Sequence, residues 1–567
     1  MKIKIKSLPA IALACMALVA TSCTNEQDAV NGGGDGSGGE IGYFSLNIQD
    51  VTGKTFTRGA GDALFVDAGT NDESQLNSLR VVLYSGAGIV KYAWNIDPNS
   101  IADDEMVEDP GNLGSPSTTT QGREVIKADY HVLLLINPNA AAIAATAEGK
   151  TEADLLAPVI GTSAAAFIEG PGNSQDNFMM GNWQELVLLP QSSIADSKTG
   201  AEGSAINIFV ERAVAKVMVG IGAAAAGGGN VVGDPGKTIA GLATGATVSD
   251  IKFVLDVLNK NTYLIRKKAQ AVRTPSGATT NAAILGDEWP NPLSRHYHYA
   301  TDPNWTGISE RDGAVSIAPG VIANNFAYVL PSSTWTDITT HQTNYTDYST
   351  GYVLENTMEA EEQYRDVTTA VLFQMKYSPD ESSLDRTSAG GTTEAIGTGN
   401  AYFAYKNYVF TAQDFDDVLD GTFTVTTTSP ADIRSFLTAD VLNALKAEMA
   451  IAGNFVGNLP SASETFAFNE SISGNDYTVQ FIDANQINYY RAPIRHYDNE
   501  IQARNMAYGR FGVVRNNVYL LHLDAVNGPG AAEIDYGGPD EEEHGYISVK
   551  FEILPWVIRE HGVSLGN

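Results

Sequence analysis

Covalent chemistry has few footholds in this 567-residue chain, and the clearest are Cys23 and Arg58. Cys23 follows Val19-Ala20-Thr21-Ser22, small residues directly ahead of a thiol that an acyl chain could occupy. Arg58 stands between Thr57 and Gly59 in FTRGAGD, a small-residue, turn-like stretch that a protease can grip. Other chemistry is poorly supported. His296 and His298 in RHYHY would share one face of a strand, but no carboxylate or cysteine follows at metal-ligand spacing, so neither a metal nor a cofactor is expected. Gly220-Ile221-Gly222 follows a strand, yet the third glycine of a dinucleotide loop is misplaced and no acidic partner appears. G-x-S-x-G and P-loop motifs are absent, and the acidic run Asp540 to Glu543, like Asp380-Glu381, reads as a solvated turn. The chain reads as a target of processing enzymes and not as an enzyme.

The segments that present these two residues are legible. Met1 to Lys6 carries three lysines, and Leu8 to Ala20 is an apolar run too short to span a bilayer but of signal-peptide size. Residues 1–22 are therefore expected to be removed on export. The stretch before Cys23 resembles the lipobox of bacterial lipoproteins, with the usual leucine displaced to Leu18; an ordinary secretory signal with an incidental cysteine is the alternative. Cys15 would leave with the signal, so no disulfide can form within the mature chain. Stable membrane attachment at Cys23 requires more than one acyl chain. Asn31 to Glu40, NGGGDGSGGE, is a flexible tether.

Composition bounds the rest. A chain of this length suggests about two to four domains. Loss of residues 1–22, which hold three lysines and no acid, would take the net charge from −32 to −35. So acidic a surface argues against binding nucleic acid through charge and favours solubility. The 55 glycines among abundant Thr, Ser, Asn and Asp belong to a turn-rich all-β protein. Apolar or β-branched runs predict strands at 79–84, 131–136, 206–210, 213–219, 251–258, 326–330, 369–377, 402–410, 478–482, 512–524 and 546–554. Helical spacing appears only in the alanine-rich stretch 140–157 and after Ala431, closing at Gly453. The glycine-rich break after Ala223 places a boundary near residue 220.

Several segments recur together in a known family. VERAVAKV (210–217), FMMGNW (178–183), YVLENT (352–357), YFAYKNYVF (402–410), YGRFGVVRNNVYLLHLDAVNGPG (508–530) and ISVKFEILPW (547–556) resemble, in order, the Mfa1-like, or fimbrillin, family of Bacteroidales fimbrial shaft proteins, the type V pilins. The resemblance implies two tandem transthyretin-like β-sandwiches, here residues 59–220 and 221–555. It also implies a precursor, residues 23–58 as propeptide, lipidated at Cys23 on the cell outer membrane and cut between Arg58 and Gly59. The cut subunit would join other copies of itself in an extracellular fimbrium, with accessory anchor and tip pilins.

That expectation needs a removable strand and a donor. Ile41 to Val51 alternates Phe44, Leu46 and Ile48 on one face, as a half-buried strand does. Removing it would bare an edge and an apolar slot, which another copy's strand could fill. Tyr546 to Leu554 reads as the last strand of the body, with Pro555, lacking an N–H, interrupting its ladder. Residues 556–567 would leave as a donor arm. Within it Trp556 and Ile558 share one face while Val563 and Leu565 share the other, so the phase stays open, and Gly562 could allow a bulge. An accessory or tip pilin, and a surface glycan-binding lipoprotein, are the rival readings.

Overall fold

A computed structural model describes residues 39–50, 70, 72–98, 105–107, 119–172, 174–183, 186–221, 246–267, 302–305, 323–329, 333–338, 348–358, 363–387, 390–451, 453–460, 466–496, 511–526, 528–537 and 547–555. Cys23, Arg58, Gly59, His296, His298, Trp556, Ile558, Val563 and Leu565 lie outside these residues.

The described chain is built from strands with a few short helices. First come β1 (Ile41–Phe44), β2 (Leu46–Asp50), β3 (Leu79–Ser85), β4 (Val90–Ile96), β5 (Arg123–Ile126), β6 (Tyr130–Ile136), β7 (Met180–Asn182), β8 (Val187–Leu189) and β9 (Ile206–Arg212). They form a sheet ordered β2-β9-β7-β6-β3-β4, with β8 beside β6 and β1 paired to β5. After Ala213 follow β10 (Val214–Ile221), β11 (Ala246–Asp256), β12 (Leu258–Asn259), β13 (Phe326–Ala327), β14 (Thr336–Asp337), β15 (Ser349–Leu354), β16 (Ala370–Pro379), β17 (Tyr402–Tyr405), β18 (Tyr408–Phe410), β19 (Ala467–Ile472), β20 (Asn475–Ile482), β21 (Ile487–Pro493), β22 (Asn517–Val526) and β23 (Ile547–Pro555). Their main sheets are ordered β15-β10-β22-β23, β14-β11-β16-β21 and β18-β17-β20-β19. The hydrogen bonding changes sheet at Ala213, because β9 pairs with β7 and β2 while β10 pairs with β15 and β22.

The sheet containing β10 serves two cores at once. Val214 and Met218 of β10, with Val518 and Leu520 of β22, join the core that holds Phe44, Leu46 and Ile48. Ala215, Val217, Val219 and Ile221, with Tyr519, Leu521 and Leu523, join a second core against β11 and β16. A strand buried on both faces has no polar face to show, which is why VAKVMVGI lacks alternation. Its one charge, Lys216, is buried 3.0 Å from Glu73 Oε1, which also accepts from the Tyr352 hydroxyl at 2.6 Å, while Oε2 accepts from the Thr70 N–H at 2.9 Å.

A smaller third core sits on the far side of the sheet β18-β17-β20-β19. Helices Ala412–Leu419, Ala431–Phe436 and Ala439–Glu448 cover it with Phe415, Phe436, Leu442 and Leu445. The opposite face gives Tyr402, Ala404, Val409 and Ile482 to the second core. Two sequence expectations change here. The aromatic strand over 402–410 is a hairpin, since Lys406 at φ +51° turns the chain and pairs Tyr405 with Tyr408. The long helix after Ala431 is two helices, the second restarted by the Thr438 side chain accepting from the Val441 N–H.

Candidate functional site

The segment 41–50 is the expected removable strand, and its surroundings decide whether removal would leave a usable slot. Phe44, Leu46 and Ile48 are all buried in the first core, and Phe44 lies against Trp94 with ring centroids 5.7 Å apart. Ser45 splits the segment into β1 and β2, so one expected strand is two. On one flank the chain runs antiparallel to 119–126, from Ile41 opposite Ile126 to Phe44 opposite Arg123 and on to Asn47 opposite Thr119. On the other flank the Tyr43 and Ala195 peptides exchange hydrogen bonds at 2.8 Å, and Leu46 to Asp50 runs parallel to Ile206 to Val210. The segment is therefore inserted between two neighbours over most of its length.

The break at Ser45 is where the flanks become polar. Ser45 is 1% exposed and Thr120 2%. The Ser45 hydroxyl donates to the Thr120 carbonyl at 2.5 Å, the Leu46 N–H donates to Thr120 Oγ1 at 3.0 Å, and the Thr120 N–H donates to the Leu46 carbonyl at 2.9 Å. One residue of slip between the two flank registers, 41↔126 against 47↔119, is absorbed at this point. Beyond it, Asn47 Nδ2 and Gln49 Nε2 both donate to Asn207 Oδ1, at 2.8 and 3.1 Å. Gly42 is needed for fit, because a Cβ there would lie 2.5 Å from Ile194 Cγ2. Ser45 and Thr120 carry no signal in the sequence; only the fold brings them together.

The segments behind the family resemblance meet in a second place, a buried polar seam between the first two cores. Glu211 of VERAVAKV takes two bonds from Arg266, Nε to Oε1 at 2.8 Å and Nη2 to Oε2 at 2.5 Å. Glu355 of YVLENT accepts from Arg515 Nε at 3.0 Å and from the Arg515 N–H at 3.3 Å. Arg266 Nη2 also donates to the Arg515 carbonyl at 3.4 Å, and Arg515 Nη2 to the Tyr263 carbonyl at 3.0 Å. Asn516, at φ +60°, offers Oδ1 to the Arg212 N–H at 3.2 Å, while Arg212 Nε donates to the Glu73 carbonyl at 3.0 Å. Arg266 and Arg515 are each matched by a carboxylate, Glu211 and Glu355, which offsets part of the cost of burying their charges. Its job is to hold distant chain segments in register.

One more buried acid titrates within reach of physiological pH. Asp302 Oδ1 accepts from the Asn304 N–H and Nδ2 at 2.8 and 2.6 Å, and Oδ2 from Asn259 Nδ2 and the Thr357 N–H at 2.7 and 3.1 Å. Burial outweighs these donors and pushes the carboxyl up to about 7. The unfolded carboxyl loses its proton near 4 and the folded one only near 7, so this stabilising contribution is complete below about pH 4 and is lost as pH rises to about 7. Asp302→Asn keeps the neutral group and should flatten that part of the profile. Urea midpoints at about pH 4, 5.5 and 7 check it; an unchanged slope in the variant would remove Asp302 as its source.

Among the described residues no cluster of His, Cys, Asp and Glu could hold a metal ion, and no helix is long and apolar enough to cross a membrane. Residues 484–562 match the sequence profile of the family described as major fimbrial subunit protein type IV, fimbrillin, C-terminal. No curated protein sequence matches the chain. Solved structures align over most of it at low similarity. Fimbrilin (FimA) of Porphyromonas gingivalis W83 is 13% identical over 92% of this chain and 98% of its own, with a TM-score of 0.36. A candidate cell-adhesion protein of Parabacteroides distasonis is 12% identical over 91% and 99%, TM-score 0.38, and the P. gingivalis tip fimbrial protein Mfa3 is 11% identical over 91% and 100%, TM-score 0.33. The matched profile spans β21, β22 and β23 and contains Arg515 and Asn516 of the buried seam. Residues 484–562 of this chain thus carry the sequence signature of the fimbrillin C-terminal family.

Proposed function

We propose that the chain is a shaft subunit of a cell-surface fimbria that polymerises by protease-triggered donor-strand exchange. The precursor is exported, lipidated at Cys23 and held at the outer membrane. An arginine-specific, trypsin-like protease cuts between Arg58 and Gly59 and frees residues 23–58. The slot vacated by Phe44, Leu46 and Ile48 then receives the arm 556–567 of another copy, and accessory anchor and tip pilins complete a fimbrium that supports adhesion and biofilm formation. One observation carries this reading: residues 41–50 are hydrogen-bonded on both flanks with an apolar face in the core, and the chain leads from them to Arg58 within eight residues.

The arm is tested by deletion. Removing residues 556–567 spares β23, which pairs with β22 from Val526↔Ile547 to Asn517↔Pro555. The shortened subunit should therefore fold with a melting temperature close to that of the unpolymerised full chain, yet form no filaments by electron microscopy. Filaments of normal length from this deletion would place the donor elsewhere.

Anchoring has its own test. Cys23→Ser should lose incorporation of a clickable fatty acid, and equal labelling of variant and parent would dismiss Cys23 as the acylated residue.

A further inference from the structure

The Ser45 to Thr120 contact adds a requirement that an apolar slot alone would not impose. Were residues 41–58 to leave, the buried Thr120 carbonyl would lose its hydroxyl donor and Thr120 Oγ1 its N–H. Any strand returns peptide N–H groups; only a Ser or Thr at the right position returns the hydroxyl. The slot thus asks for apolar, hydroxyl, apolar, as in Phe44-Ser45-Leu46. Residues 556–567 hold a single hydroxyl side chain, Ser564, and it stands between Val563 and Leu565.

We propose that Ser564 of an adjoining copy takes the place of Ser45, so that Val563-Ser564-Leu565 and not Trp556 to Ile558 enters opposite Thr120. This rests on the donor-arm reading above and sets its phase. Ser564 lies eight residues from Trp556, roughly 26 Å along an extended strand. Trp556 and Ile558 then fall beyond the stretch filled by Phe44 to Ile48, and the place of Ile48 is taken by Asn567 if the arm runs as residues 41–50 do, or by His561 if it runs the other way. The apolar-Ser-apolar pattern reads alike from either end, so the lock fixes the register in both strand directions.

Disulfide trapping in filaments assembled by cells tests the register. Cys15 and Cys23 both precede Arg58, so a subunit cut there has no cysteine of its own. Asn47 and Asn207 face each other across β2 and β9 with side chains 2.8 Å apart. With Ser564 at the Ser45 position, Gly566 comes opposite Asn207 if the arm runs as residues 41–50 do, and Gly562 if it runs the other way. Asn207→Cys paired with Gly566→Cys or with Gly562→Cys should therefore give an SDS-resistant ladder that a reductant collapses; either pair supports the register and reports the direction. Ser564→Ala should shorten filament lifetime in SDS by about tenfold or more, the effect of orphaning one buried acceptor, while Ser564→Thr retains it. A ladder from Asn207→Cys with Arg559→Cys would instead put Trp556 and Ile558 in the places of Phe44 and Leu46 and overturn the lock. Absence of a ladder from all three pairs, in filaments that still require residues 556–567, overturns it as well. Filaments that do not require the arm at all would fail the donor-strand reading itself.

Discussion

Arg58→Ala is expected to abolish filaments and leave a full-length, membrane-held precursor. The reason lies in how residues 41–50 are retained. Phe44, Leu46 and Ile48 are buried, at roughly 1.5–3 kcal/mol of transfer free energy each, and hydrogen bonds secure both flanks. While the chain is continuous through Arg58, a strand that opens is returned by its own tether at an effective concentration in the millimolar range for a short linker. An incoming arm cannot compete with that. Cutting at Arg58 leaves the strand held only by its contacts, and once displaced it dilutes away. Electron microscopy of cell surfaces and the N-terminal residue of surface subunits check this, with Gly59 expected in the parent. Arg58→Lys should fail in the same way if the protease is arginine-specific. Filaments of normal length from Arg58→Ala would end the activation model.

Arg515→Met is expected to cost about 3–5 kcal/mol of folding stability, because it strands the Glu355 carboxylate in a dry seam. It would also remove the bond to the Tyr263 carbonyl. Pairing Arg515→Met with Glu355→Gln removes the uncompensated charge and should recover a large part of the loss, a non-additivity that a double-mutant cycle in urea measures. Additive losses would mean that the two side chains are not energetically coupled. The same cycle gives the family resemblance a physical content: RNN and YVLENT are distant in sequence and adjacent in the seam.

Much of the architecture was legible in the residues alone. Apolar alternation and β-branched runs place β3, β6, β9, β10, β11, β16, β20, β22 and β23, but not β4, β15, β19 or β21, since a strand's period depends on which of its faces is wet. Phe44, Leu46 and Ile48 fall on a buried face as their spacing requires. Export signals, tethers and cut sites are local patterns that proteases and acyltransferases read on an unfolded chain, which is why a sequence can nominate Cys23 and Arg58 as candidates. Tertiary structure decided the rest. That β10 and β22 feed two cores is invisible in VAKVMVGI, because an unbroken apolar run says both faces are covered but not by what. The hairpin at Lys406 hides in an aromatic run because a single positive φ, not composition, makes the turn. Ser45 and Thr120, 75 residues apart, and Glu355 and Arg515, 160 apart, are ordinary residues until folding removes water from between them. Their hydrogen bonds gain strength only in that dry setting, so pattern and propensity along the chain have no access to them.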